Sequence, residues 1–260
     1  MKSFKLLINK QVPTLKRFNN FSISTRVNVK KCYSVHKSFT IEPLTKENVK
    51  EAILLTSMTF GKHEPIMGNK FQPTDIYHFA SILAHRAVEE GLGHVAIDKS
   101  GCDHVKSVFD DSFSTIDFYP EGLQLFEDLH TQYFEFIANH PQHEKFGIHT
   151  PEKMFTPQNV GKILHFLVGV TADFYQGNGV MSELSKVHLQ DCKERGFEQA
   201  FAECSSNYST KALEKNGFSI QNRIVYADYE IKNEKLGTKK PFLHVPQPHQ
   251  SMNLVWKYKL

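Results

Sequence analysis

Cysteine is scarce: four residues, Cys32, Cys102, Cys192 and Cys204, in a chain of 260. That number is too low for a disulfide scaffold, and no CxxC pair is present to seat a structural zinc. The expectation is free thiols in a reducing compartment. The 14 histidines are scattered and form no HExxH or other repeated ligand spacing, so no metal is expected. No run of 18 apolar residues occurs, so no membrane-spanning helix is expected. No internal repeat or low-complexity tract occurs either. Acidic residues are missing from one place, residues 1–41, which hold nine Lys or Arg and no Asp or Glu. Subtracting those nine charges from the net +3 leaves −6 for the rest of the chain. The basic character therefore belongs to the N-terminus and gives no reason to expect nucleic acid as a partner of the body. A mildly acidic body suits a cationic or amine substrate.

What is present is a globular composition, 40% apolar and 23% charged, in a length suited to one large domain. Residues 1–37 are basic and rich in Ser, Thr and Asn, with scattered apolar residues. That is the profile of a mitochondrial transit peptide, with a disordered tail on a cytoplasmic protein as the alternative. The domain is expected over 38–260.

Along that body, Phe39–Leu44 reads as a strand and Thr45 as the cap of a helix over Lys50–Phe60. Asp75–Glu90 and Leu123–Asn139 are amphipathic helices. Gly93–Asp98 and Val105–Asp110 are strands around a turn, and Ile163–Thr171 is one apolar strand. A helix over Gly179–Arg195, a strand at Ala200–Cys204 and a short helix at Asn207–Asn216 follow. Phe218–Ile231 and Ser251–Tyr258 complete the strands, with Lys232–Gln250 as a connector. The order predicts a mixed α/β domain.

The segment Ile163–Met181 carries the strongest chemical signal. A strand leads to Gln176-Gly177-Asn178-Gly179, and a helix begins at once. Glycines let a ligand approach the backbone, and the first amides of a helix point outward without partners, ready for phosphate oxygens. A P-loop is excluded because no Gly-Lys-Ser/Thr follows. A dinucleotide turn fits less well, because Ala172–Gln176 separate strand and glycines, although Glu203 closes the next strand where a ribose-binding acid would stand. The third design is the pyrophosphate turn of acetyltransferases.

Gln176-Gly177-Asn178-Gly179-Val180 resembles the Gln/Arg-x-x-Gly-x-Gly/Ala signature of the GNAT superfamily of N-acetyltransferases. Met181 stands where that signature has Gly or Ala. Cys204–Ser209 followed by Glu214–Phe218 is similar to the insect-type arylalkylamine N-acetyltransferases. Phe60–Ile66 resembles their Phe-x-x-x-Glu-Pro-Leu segment, and Val225–Tyr229 their Phe-Ala-Asp-Tyr strand. The resemblance implies the GNAT fold, a mixed, mostly antiparallel central sheet flanked by helices. It implies acetyl-CoA as co-substrate, held by Gln176, Gly177, Asn178, Gly179, Val180, Met181 and Asn207, with Val168, Gly169 and Val170 beside the pantetheine arm. It implies a small, arylalkylamine-like primary amine as acceptor, attacking directly in a ternary complex. Glu64 would be the base, and Ser205 and Ser209, near the thioester, a proton relay or the donor to the leaving thiolate.

The chemistry calls for such a base. An alkylammonium with a pKa of roughly 10 has no lone pair, and about one molecule in a thousand is neutral at pH 7. Pro65 keeps Glu64 off the helical region, so a loop is expected there. For Ser205 and Ser209 the plain structural role is helix capping, with Ser205 at the cap. His165 is expected to be a satisfied core or rim residue, and Cys204 a buried thiol. Phe60, Phe71, Tyr77 and Phe79 are candidates for an aromatic wall near Glu64. Two other classes stay open: a catalytically inactive GNAT-fold structural subunit of a mitochondrial assembly, and a nucleotide-dependent oxidoreductase.

Overall fold

The computed structural model describes residues 33–36, 39–67, 71–98, 104–110, 120–139, 156–159, 161–233 and 237–260. The segment read as a transit peptide lies outside the described residues, apart from a strand at its end. Five helices and eleven strands follow one another there. Strands β1 (Tyr33–His36) and β2 (Phe39–Pro43) lead to helices α1 (Val49–His63) and α2 (Pro73–Glu90). Strands β3 (Gly93–Asp98) and β4 (His104–Asp110), then α3 (Pro120–Asn139), come next. Then follow β5 (Ile163–Phe166), β6 (Val168–Thr171), α4 (Val180–Glu194), β7 (Gln199–Cys204) and α5 (Asn207–Glu214). The chain ends with β8 (Ser219–Val225), β9 (Ile231–Asn233), β10 (Gly237–Lys239) and β11 (Ser251–Lys257).

Two sheets form the centre. One runs β1-β2-β3-β4-β6, antiparallel throughout. The other runs β5-β7-β11-β8, with β5 and β7 parallel and the rest antiparallel. A small ribbon pairs β9 with β10. Period-two alternation sends side chains to opposite faces. On β11, Met252, Leu254 and Trp256 enter a core with Ile53, Ile76, Leu83, Leu125 and Leu129 from α1–α3. Val255 enters the opposite core with Leu184 and Cys192 of α4 and Leu213 of α5. Both faces of the sheet are thus covered by helices, which gives the mixed α/β class expected.

The expected strand Ile163–Thr171 is two strands, and the break positions the site. Phe166 pairs with Ala202 of β7, but Val168 pairs with Asp110 of β4. At Leu167 the chain leaves one sheet and joins the other. Beyond it β6 and the end of β7 are not ladder partners, and a cleft opens between them. Three smaller expectations are also corrected. Asn48, not Thr45, is the N-cap of α1, and its Oδ1 accepts the Thr45 amide at 2.8 Å. Tyr226–Asp228 is a turn, because Asp228 and Tyr229 donate their amides back to Val225 O. The strand Tyr33–His36 begins before the predicted domain boundary and pairs with β2.

One polar cluster lies inside the α4 layer. His94 Nδ1 and His188 Nδ1 are 2.8 Å apart, both buried, and Cys192 Sγ is 3.6 Å from His188 Nε2. No group of His, Cys, Asp or Glu able to hold a metal occurs among the described residues.

Candidate active site

The splay at Leu167 opens a cleft of about 690 Å³. Its walls come from the end of α1, the break between β5 and β6, the turn Gln176–Gly179, the start of α4, the end of β7, and α5. Of the residues singled out in the sequence, Glu64, Gly169, Val170, Gln176, Gly177, Gly179, Val180, Met181, Ser205 and Ser209 line it. Val168, Asn178 and Asn207 do not. Val168 is buried in the α1–α3 core, and Asn178 Nδ2 turns back to Gln176 O at 3.4 Å. The Asn207 amide donates to His249 Nδ1 at 3.2 Å.

The anion-facing wall is built by backbone. Gly177 and Gly179 have φ of +78° and +77°, values that glycine adopts without the steric cost of a Cβ. The space around each is open, with no atom within 4 Å of where a Cβ would stand. Gly179 is the N-cap of α4 and supplies no side-chain oxygen, so the first amides of α4 have no side-chain cap. That leaves them available to an anion. Met181, in this first turn, is partly buried against the α4 core.

The opposite wall carries Glu64. It is the C-cap of α1, with φ −69° and ψ 114°, the extended geometry that Pro65 imposes. Pro65, Ile66 and Met67 are buried behind it and anchor the turn. The residue keeps some exposed surface, yet its Oε1 is enclosed and has no hydrogen-bond partner. Burial pushes the carboxyl up from 4.5 to about 7, while the Ser205 hydroxyl and the Ile66 amide favour the ionised form and hold it back. Glu64 and Ser205, 141 residues apart in sequence, are therefore brought together. Tyr226 Oη fixes the Ser205 backbone by donating to its carbonyl at 2.6 Å.

Ser206, not Ser205, caps α5: its Oγ accepts the Ser209 amide at 3.0 Å. The Ser209 hydroxyl donates to Ser206 O at 2.9 Å, so its first task is structural. Burial pushes the Cys204 thiol up to about 12, which leaves it un-ionised at neutral pH. The aromatic wall near Glu64 reduces to Phe60. Phe79 is core, Tyr77 is exposed, and Phe71 packs against the α1–α3 core.

Three features in or beside the cleft have no local sequence signal. The Glu203 carboxylate bridges two imidazoles, with His130 Nε2 at 2.5 Å and His165 Nε2 at 2.6 Å. Burial alone would raise this carboxyl, but His165 and His130 overcome it and hold the group well below the usual range. His165 stacks on Phe201 at 4.3 Å, the satisfied rim residue expected. His249, in the connector before β11, accepts the Asn207 amide at Nδ1, so its neutral ring carries its proton on Nε2. Asp173 binds both residues before Glu64, with Lys62 Nζ at 2.5 Å and His63 Nε2 at 2.6 Å.

No family model and no curated protein matches the chain, but solved structures do. The C-terminal condensation domain of Ebony, in complex with beta-alanyl-dopamine, superposes with a TM-score of 0.62 at 16% identity, covering 84% of this chain and 98% of that one. Arylalkylamine N-acetyltransferase 2 from Aedes aegypti gives 0.57 at 15% identity, covering 85% and 98%. The putative arylalkylamine N-acetyltransferase 7 from the same mosquito gives 0.61 at 13% identity, covering 89% and 97%. The likeness is one of fold: with a mixed, mostly antiparallel centre flanked by helices, the chain has the GNAT fold.

Proposed function

We propose that the chain is an N-acetyltransferase that moves an acetyl group from acetyl-CoA to a small primary amine by direct attack in a ternary complex. The observation that carries this reading is the enclosed, unpartnered Oε1 of Glu64, a residue that lines the same cleft as an uncapped helix start and two open glycines. The residues fit the co-substrate, whose thioester supplies an activated acyl group. Gln176, Gly177, Gly179 and the amides of Val180 and Met181 receive the pyrophosphate. β6 is the edge strand of its sheet, so Gly169 and Val170 offer backbone to an extended arm laid beside them. Glu64 takes the proton of the incoming ammonium. A base with a pKa near the working pH is well matched to that task. Ser205 lies within reach of the carboxyl and relays the proton.

The oxidoreductase alternative needs a doubly wound parallel sheet, whereas β5–β7 is the one parallel pair among the described residues. A calorimetric titration of the full chain with acetyl-CoA tests the proposal, alongside Gly179→Trp. Saturable binding that is lost in the variant is expected. A folded wild-type chain that binds no acetyl-CoA would refute the reading.

A further inference from the structure

We propose that Tyr226 is a positioning residue for the base: it holds the Ser205 peptide so that the Ser205 hydroxyl stays on the Glu64 carboxyl. This rests on the acetyltransferase reading above and adds a residue to its machinery. Ser205 occupies a joint in the chain. The ladder pairs of β7 end at Cys204, opposite Asn253, and α5 begins at its cap, Ser206. The Thr210 amide donates to the Ser206 carbonyl, one residue further on. The Ser205 carbonyl is taken by a side chain instead. Tyr226 Oη, 21 residues along, donates to it at 2.6 Å. A short O–H···O bond of this kind leaves the peptide little freedom to turn.

Tyr226 is itself firmly seated. It is buried, its amide donates to Gln250 O at 2.9 Å, and its ring packs on Phe242 with centroids 5.8 Å apart. It shares the α1–α3 core with Ile66 and Met67, which anchor the Glu64 turn. Both partners of the Glu64–Ser205 contact are therefore tied to one core. The ordinary need of a buried tyrosine is a partner for its hydroxyl. Here that partner is the backbone of the residue whose own hydroxyl acts on Glu64. The Ser205 hydroxyl favours the ionised carboxylate, so a Ser205 peptide free to turn leaves Glu64 protonated to higher pH. Of the other titratable groups around the pair, Tyr226 and Cys204 stay neutral, both pushed up by burial, Cys204 to about 12. His63 is held, with Lys62, on Asp173.

The test follows the Glu64 carboxyl in the ligand-free full chain by carbon-13 NMR, with its signal assigned by Glu64→Gln. Tyr226→Phe keeps the ring against Phe242 and removes only the hydroxyl. Its Glu64 midpoint is expected about half a pH unit to one pH unit above wild type, the size of one neutral hydrogen bond. Ser205→Ala should give a similar rise, and adding Tyr226→Phe to it should give no more. Rates should follow. The acid limb of kcat/KM should move up equally, with a loss of roughly three- to tenfold at pH 6 that recovers at alkaline pH, while KM for acetyl-CoA holds. A folded Tyr226→Phe whose midpoint matches wild type would overturn the proposal. So would an unmoved midpoint in Ser205→Ala, even if Tyr226→Phe fails to fold, and so would a full second rise in the double variant. The NMR titrations need no acetyl-CoA. Their failure faults this inference, whereas absence of acetyl-CoA binding faults the acetyltransferase reading.

Discussion

Glu64→Gln is expected to stabilise the ligand-free protein at alkaline pH while sharply lowering the proposed activity. Burial raises the Glu64 carboxyl from 4.5 to about 7 in the folded chain. Between those values the folded chain holds a proton that the unfolded chain has released, so stability falls as pH rises through the window. At ~1.4 kcal/mol per pH unit, the full loss above pH 7 is up to ~3 kcal/mol. For a domain of this size that corresponds to a difference on the order of 5–10 °C in Tm. Gln has nearly the same shape and does not ionise, so it escapes the loss. Thermal unfolding of both proteins at pH 5 and pH 8 measures it. The two should melt close together at pH 5, with the variant higher at pH 8. Rates should show the counterpart. Wild-type kcat/KM should rise with pH through about 7, and the variant should lose roughly 10²–10⁴-fold with no such limb. Melting curves that stay parallel across both pH values would refute the assignment of a strained, buried carboxyl.

Two further predictions concern groups around the cleft. Asp173→Asn releases Lys62 and His63, which directly precede Glu64, and the Lys62 charge, no longer neutralised, then favours the ionised form of Glu64. The acid limb of the rate profile should move to lower pH by about half a unit, less at high salt, and an unmoved limb would sink the idea. The buried His94–His188 pair should show the opposite pH trend to Glu64. Burial, and for His94 the facing His188, hold both imidazoles below their ordinary 6.5, so the unfolded chain takes up protons first and stability falls as pH drops below about 6.5. Because the two trends oppose, each is read as a difference between variant and wild type. His94→Asn should narrow the gap between the urea midpoints at pH 7 and pH 5, and an unchanged gap would count against the pair's role.

The legible part of the fold was the part set by local rules. Gly177 and Gly179 announce a turn that needs positive φ, and Pro65 announces that Glu64 leaves the helix. Apolar spacing located α2 and α4 to within two residues of their starts. The split of Ile163–Thr171 was not legible. Its apolar run is continuous, and the partner strands that claim each half, β7 and β4, lie after and before it in sequence. Without that split there is no cleft, so the site's shape depends on a pairing choice that periodicity does not encode.

The site's electrostatics were hidden for the same reason. Glu64 looks like an ordinary helix-end carboxylate until Ser205 and the buried turn Pro65–Met67 close over it. Glu203 looks like a strand-end acid, and the imidazoles that hold it stand 73 and 38 residues away. Both residues belong to the same type, and both are enclosed by the same cleft. What separates them is the company each keeps: neutral donors at one, paired imidazoles at the other. The fold thereby raises one carboxyl to about 7 and holds the other well below the usual range. The proposed transfer uses that difference: an amine that arrives as a cation reacts only after losing its charge, and of the two carboxyls it is Glu64 that suits the proton.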